Sequence, residues 1–275
     1  MIRSMYSGIS GLKNFQTKLD VIGNNIANVN THGFKKGRTV FKDLYSQNVA
    51  GASAPGDIRG GVNPKQVGLG AQLATIDTIH SGGSMQTTGN TLDLAIEGDG
   101  FFVVRNGEGI DDKLYTRAGN FYLDSGEEGA ESARIVDGEG RFLLDENGDP
   151  IEVPLAATSL SIGQDGAVNY VLNGLLNDGE EPKYISLAKF NNPGGLQKVG
   201  GNYYEPSANS GTPLEDRPLG DGGHGAIKSG SLEMSNVDLS EEFTEMIVAQ
   251  RGFQANTRII TTSDEILQEL VNLKR

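Results

Sequence analysis

DLSEEFTEMIVAQRGFQANTRIITTSDEILQELVNLKR, residues Asp238–Arg275, reads as one long amphipathic helix. Counted from Leu239, the sites Leu239, Phe243, Met246, Gln250, Phe253, Thr257, Ile260, Asp264, Leu267 and Val271 follow each other at alternating steps of 4 and 3, and seven of the ten are apolar. That spacing keeps an apolar stripe on one side of a helix, the seam of a coiled coil. Asp238 followed by Glu241 suits a capped start, and Lys274 with Arg275 suits the negative end of the helix dipole. At 1.5 Å per residue the helix is about 50 Å long. A stripe of that length needs a partner.

The other end of the chain supplies one. Ile2, Met5, Ile9, Leu12, Gln16, Leu19, Gly23 and Ile26 repeat the same steps, with six of eight apolar. Gly8, Gly11 and Gly23 weaken this helix, each by about 1 kcal/mol relative to Ala. It runs into the polar stretch Asn28–His32, with Gly33 placed as a left-handed helix-ending residue. Polar residues in mid-seam, and the lack of a third long helix, point to completion of the seam by other copies of the chain. Leu12, Leu19, Ile26, Phe243, Met246, Phe253, Ile260 and Leu267 are the candidate packing and assembly residues.

Charge is unevenly spread along the 275 residues, whose net is −13. Residues 1–42 carry seven Lys/Arg against Asp20 alone, 238–275 carry seven acids against four bases, and 43–237 carry 28 acids against 12 bases. An acidic body argues against nucleic acid as partner. No run of eighteen apolar residues suggests membrane insertion, and MIRSMYSGISGLKNF lacks the apolar core of a secretory leader. With no cysteine, disulfides and thiol chemistry are excluded.

Between the ends lies first a basic, then Gly/Ala-rich connector, residues 35–75, in which Gly60, Gly61 and Gly68 stand out beside Pro55 and Pro64. Such a segment builds no core of its own. Alternating apolar residues then mark strands: LDLAIEG (92–98), FFVVR (101–105), ARIV (133–136), RFLL (141–144), VNYVL (168–172) and YISLAKF (184–190). Asp99-Gly100, Asn106-Gly107, Asp137-Gly138, Asn147-Gly148 and Asp165-Gly166 punctuate them as hairpin turns. The fold expected is α+β: a terminal coiled coil from 1–34 and 238–275, the connector 35–75, and an inserted antiparallel β domain over 76–237.

Catalytic chemistry has little to stand on. His32, His80 and His224 are scattered, without metal-ligand spacing. Asp145-Glu-Asn-Gly-Asp149 carries Pro150 and Ala156 where a calcium loop requires Gly and Glu, so it reads as a turn. The carboxylate pairs Asp111-Asp112 and Glu127-Glu128 fall in turn-rich sequence. The reading is a non-enzyme, with no metal site and no cofactor. A secreted β-domain enzyme with helical tails is the contrasting class.

Four blocks carry a family resemblance. LDVIGNNIANVNTHGFKKGR (Leu19–Arg38), TGNTLDLAIEGDGFF (Thr88–Phe102), YTRAGNFYLD (Tyr115–Asp124) and LEMSNVDLSEEFTEMIVAQRGFQANTRIITTSDEIL (Leu232–Leu267) closely resemble the axial proteins of the bacterial flagellar rod and hook. The resemblance runs through essentially the whole chain. It implies a coiled-coil core from both termini, export through the flagellar type III apparatus, and polymerisation with itself into an extracellular tube in the hook and basal body. Within the family the Gly-rich NPKQVGLG connector looks like that of the short Gram-positive hook proteins, with a distal rod subunit as alternative. Distal rod proteins are expected to carry a longer, more polar insert there. The hook reading implies the distal rod protein, the hook cap and the hook–filament junction proteins as further partners.

Overall fold

The computed structural model describes residues 2–55, 60–107, 112–126, 132–172, 174–177, 181–220 and 222–273. Lys274, Arg275, Asp111, Glu127 and Glu128 lie outside them. The fold is α+β, with the N- and C-terminal helices packed together and an antiparallel β domain inserted between them. It divides into two units, one of residues 1–27, 37–78 and 238–275, the other of 28–36 and 79–237.

The first unit is built on helix α1 (Ile2–Ala27) and helix α2 (Leu239–Asn272). The Asp238 carboxylate accepts from the backbone N–H of Ser240 at 2.8 Å and Glu241 at 3.4 Å, which satisfies donors that the first turn leaves free. Strand β1 (Gly37–Asp43) pairs antiparallel with a later strand at Ala71–Thr78, and both pack along α1. Between them, strand β2 (Ser46–Ala50) pairs with β3 (Lys65–Gly68), and every residue of both is exposed. The Ala71–Thr78 strand is β4. Composition alone shows none of these four strands, because the Gly-rich run hides the short alternations within it.

In the second unit, strand β5 (Met85–Thr87) pairs with Ser231–Glu233, and β6 (Leu94–Glu97) with Ala226–Ser229. The main sheet is antiparallel and ten-stranded among the described residues. At its centre β7 (Phe101–Arg105) lies between neighbours that include β8 (Lys113–Thr116), Phe142–Leu143 and Leu187–Lys189. Side chains alternate across a strand, so β7 feeds two cores. Phe102 and Val104 join Leu94, Phe121, Ile135 and Ile185, while Phe101 and Val103 join Tyr115, Phe190 and Tyr204. A strand buried on both faces reads as a continuous apolar run, which is how FFVV stands in the sequence.

Turn chemistry follows from Asp and Gly. Asp137 and Asp145 each accept two backbone N–H bonds at 2.9 Å, from Glu139 and Arg141 and from Asn147 and Asp149. The residue needing left-handed backbone in the first turn is Gly140, not Gly138. Asp145–Asp149 is likewise a hairpin turn closed by its own carboxylate.

Candidate assembly surfaces

The two long helices run antiparallel, because the residue contacts fall in α2 as they rise in α1. Gly8 lies against Ile260, Gly11 against Asn256 and Phe15 against Gly252. Lys18 then pairs with Glu245, and Asn25 donates to Glu242 at 3.2 Å. A Cβ on Gly252 would stand 2.5 Å from the Phe15 ring, and one on Gly11 2.8 Å from the Asn256 amide. These glycines let the helix axes approach, since interaxial distance is set by the side chains at the contact. Gly11 therefore weakens α1 as an isolated helix and fits it to its partner, whereas a methyl on Gly8 would meet Ile260 at an ordinary 3.4 Å.

The line of α1 that meets or faces α2 is Gly8, Gly11, Phe15, Lys18, Ile22 and Asn25. It keeps the alternating steps of 3 and 4, but stands one residue before the apolar line read from the sequence. Leu12, Leu19 and Ile26 are half-buried at its edge. In α2, Glu242, Ala249 and Ser263 are buried, and Met246, Ile260 and Leu267 are half-buried on the same side. Phe243 is 50% exposed and Phe253 36%.

Larger apolar groups thus face outward. Projected at about 100° per residue, Leu239, Phe243 and Ile247 fall on one flank of the buried stripe, while Phe253 and Val271 project within its span yet stay exposed. Val248, Ile259, Ile266 and Leu270 fall on the other, all of them exposed. Isolated exposed apolar residues are ordinary, but two rows along one helix mark an interaction surface.

Asn25 was not singled out by sequence reading, because a mid-helix Asn carries no periodic signal. Its amide donates to Gly37 O at 2.9 Å and accepts from Gly37 N at 3.0 Å, so it pairs with β1 as a neighbouring strand would. Among the described residues, the β2–β3 hairpin shows no such anchor. Gly60 and Gly68 have open space where a side chain would begin, and Gly61 would meet the Ser53 carbonyl at 3.0 Å. None of the three has left-handed backbone. Exposed Tyr45, Val49 and Val67 line this arm.

The second unit holds a buried ion cluster. Glu233 accepts from Lys35 at 2.6 Å, Arg117 at 3.1 Å and the Gly83 N–H at 2.9 Å. Lys35 also donates to Ser81 O, and Arg117 to Gly98 O, both at 2.8 Å. Burial alone would raise the Glu233 carboxyl, but Arg117 and Lys35 outweigh it and hold it below the usual range. Gly33 has φ +69, yet it caps no helix: a Cβ there would lie 2.7 Å from the Arg117 backbone, and its N–H donates to Glu233 O at 2.8 Å.

Among the described residues no group of three His, Cys, Asp or Glu could hold a metal ion, and no helix is long and apolar enough to cross a membrane. Three family models match. Residues 5–35 fit the flagella basal body rod protein, 95–170 the D1 domain of the flagellar hook proteins FlgE/F/G, and 228–273 the C-terminal region of the flagellar basal body rod FlgEFG proteins. The chain is 60% identical to the flagellar basal-body rod protein FlgG of Bacillus subtilis over 276 positions, covering all of both. It is 37% identical to FlgG of Borreliella burgdorferi over 277 positions, again covering both chains. It is 33% identical to the flagellar hook protein FlgE of the same organism, over an alignment of 445 positions.

Proposed function

This chain belongs to the FlgE/F/G family of flagellar basal-body rod and hook proteins, and from that premise we propose that it is a distal-rod subunit, a structural part of the drive shaft. Full-length 60% identity to a rod protein carries the reading. Length supports it: rod relatives align over 276 and 277 positions, whereas the hook relative needs 445. The same alignment weighs against reading the Gly-rich connector as a mark of hook proteins. The Bacillus rod protein aligns over 276 positions with all of this chain's 275 residues, which leaves no room for the longer insert expected of a rod protein.

Its role is mechanical, without catalysis or cofactor. The α1–α2 pair forms the continuous wall of a tube, and the two apolar flanks of α2 meet neighbouring copies on either side. The β2–β3 arm reaches a further copy and restrains sliding. Partners are other copies of itself, adjoining rod and hook subunits along the axis, and the type III export apparatus that delivers the chain beyond the cytoplasmic membrane. The hook cap and the hook–filament junction proteins belong to the hook reading alone.

Electron microscopy of the assembled protein tests this. Straight, stiff tubes are expected. Supple, curved tubes would restore the hook reading, and failure to polymerise under any condition would remove both.

A further inference from the structure

The geometry points to a carboxylate-binding pocket in the second unit, where an acidic side chain of a neighbouring copy of this chain docks between His80, Arg117 and Lys189. The inference rests on the reading of the chain as a polymerising subunit and names a contact within it. The cavity measures 270 Å³ and is walled by Phe101 and Phe190, with Asp99 at one side. Arg117 is 4% exposed, and its Nη atoms serve Glu233 and Gly98, but its Nε–H has no partner. The His80 Nδ1 is likewise buried without a well-formed hydrogen bond, and its ring stands beside the Pro193 backbone carbonyl and edge-on to Phe101 and Tyr204. Buried polar groups in native proteins nearly always find a partner, and both of these residues line the one cavity.

The charge around the cavity names that ligand. Lys35 and Arg117 share the single carboxylate of Glu233. Lys189 donates to the carbonyls of Gly222 and Gly223, and Lys198 to that of Lys35 while lying over the Phe34 ring; neither has a carboxylate partner among the described residues. Among the described residues around the cavity, Lys35, Arg117, Lys189 and Lys198 outnumber Glu233, Asp99 and Asp216, whose carboxylate stands by Gly222, in a unit that is otherwise acid-rich. His80 registers the excess: burial and then Lys35, Lys198 and Arg117 push its ring down to about 4. Copies of a chain of net charge −13 repel one another on packing, unless acids of one meet cations of the next. A carboxylate in this pocket accepts from Arg117 and Lys189 beside two aromatic rings, and such charge-assisted bonds are strong.

The test follows the His80 ring by nuclear magnetic resonance in the full-length, unassembled protein. Sodium acetate is titrated against sodium chloride at matched ionic strength. A saturable shift with acetate alone is expected, about tenfold weaker in Lys189→Gln and about threefold tighter in Asp99→Asn, as neighbouring charges at these distances dictate. No saturable acetate effect, or the same effect from chloride, overturns the pocket. Tubes assembled from ring-labelled protein should show His80 displaced in the acetate direction. Tubes with His80 unchanged overturn the neighbouring-copy contact while leaving the rod reading intact, and absence of tubes removes both.

Discussion

Gly252 sits in mid-helix, where Ala is worth about 1 kcal/mol more by helix propensity. The Phe15 ring occupies the space that an Ala methyl would need, at 2.5 Å. Gly252→Ala should therefore lower the melting temperature of the helical signal. Gly23→Ala, with nothing within 4 Å of the new methyl, should raise it. Both changing in the same direction would show that propensity rather than packing rules the pair. His80 gives a second residue-level expectation. Its ring titrates near 4 in the folded protein against 6.5 ordinarily, so below 6.5 the unfolded chain binds the proton more readily. Stability present above pH 6.5 is then lost as pH falls toward 4, by no more than about 3 kcal/mol. Glu233, also shifted down, adds to the loss below its ordinary 4.5. Denaturant unfolding across this range measures the slope, and His80→Phe should remove the upper part of it. A flat profile in the parent would contradict the assignment. Neither Gly252 nor His80 can be ranked from sequence, because their importance lies in a neighbour hundreds or tens of residues away.

At the scale of the element, both helices were legible, including the Asp238 cap and the 3–4 spacing. The most apolar line along them differs in part from the buried one. Periodicity finds the most apolar line, and in α1 that line stands one residue past the contact made of Gly8, Gly11, Phe15, Lys18, Ile22 and Asn25. A close contact between helices uses small and polar residues here, so it leaves little apolar signal. The bulkier groups flank it. Two substitutions separate these surfaces. Ile260→Asp sets a charge beside Gly8 in the helix pair and should cost several kcal/mol, seen as lost helical signal in circular dichroism. Phe243→Asp, at a site 50% exposed, should change helix stability by less than about 0.5 kcal/mol yet block polymerisation in sedimentation. Normal tubes from Phe243→Asp would take that flank of α2 out of the assembly.

For the whole molecule, composition and turn signals were enough for an antiparallel domain inserted between terminal helices. They could not give the strand order, because alternation says that a strand is half-buried or buried but not beside which other strand. Leu187 pairs with Phe102 across the sheet, and no feature of either run announces it. The connector was the least legible part, since its glycines conceal strands that pair across the segment. Its exposed β2–β3 arm leaves the β1–β4 pair at one point and returns there, where the Leu44 N–H donates to Gly70 O at 2.8 Å. Among the described residues, the arm contributes none that is buried. Replacing residues 45–69 with a short Asn-Gly turn should therefore close β1 directly onto β4, as two-residue hairpin turns do. Neither unit loses core, so thermal unfolding of the monomer should stay within about 1 kcal/mol of the parent. Assembly is where the loss is expected: tubes that are absent, or short and readily broken by dilution. If the shortened chain builds tubes as long and straight as the parent's, the arm has no part in the shaft, and its stiffness must come from the helical wall alone. If the monomer itself unfolds, the arm belongs to the first unit's fold despite its exposure, and the division between folding and assembly drawn at Leu44 and Gly70 is wrong.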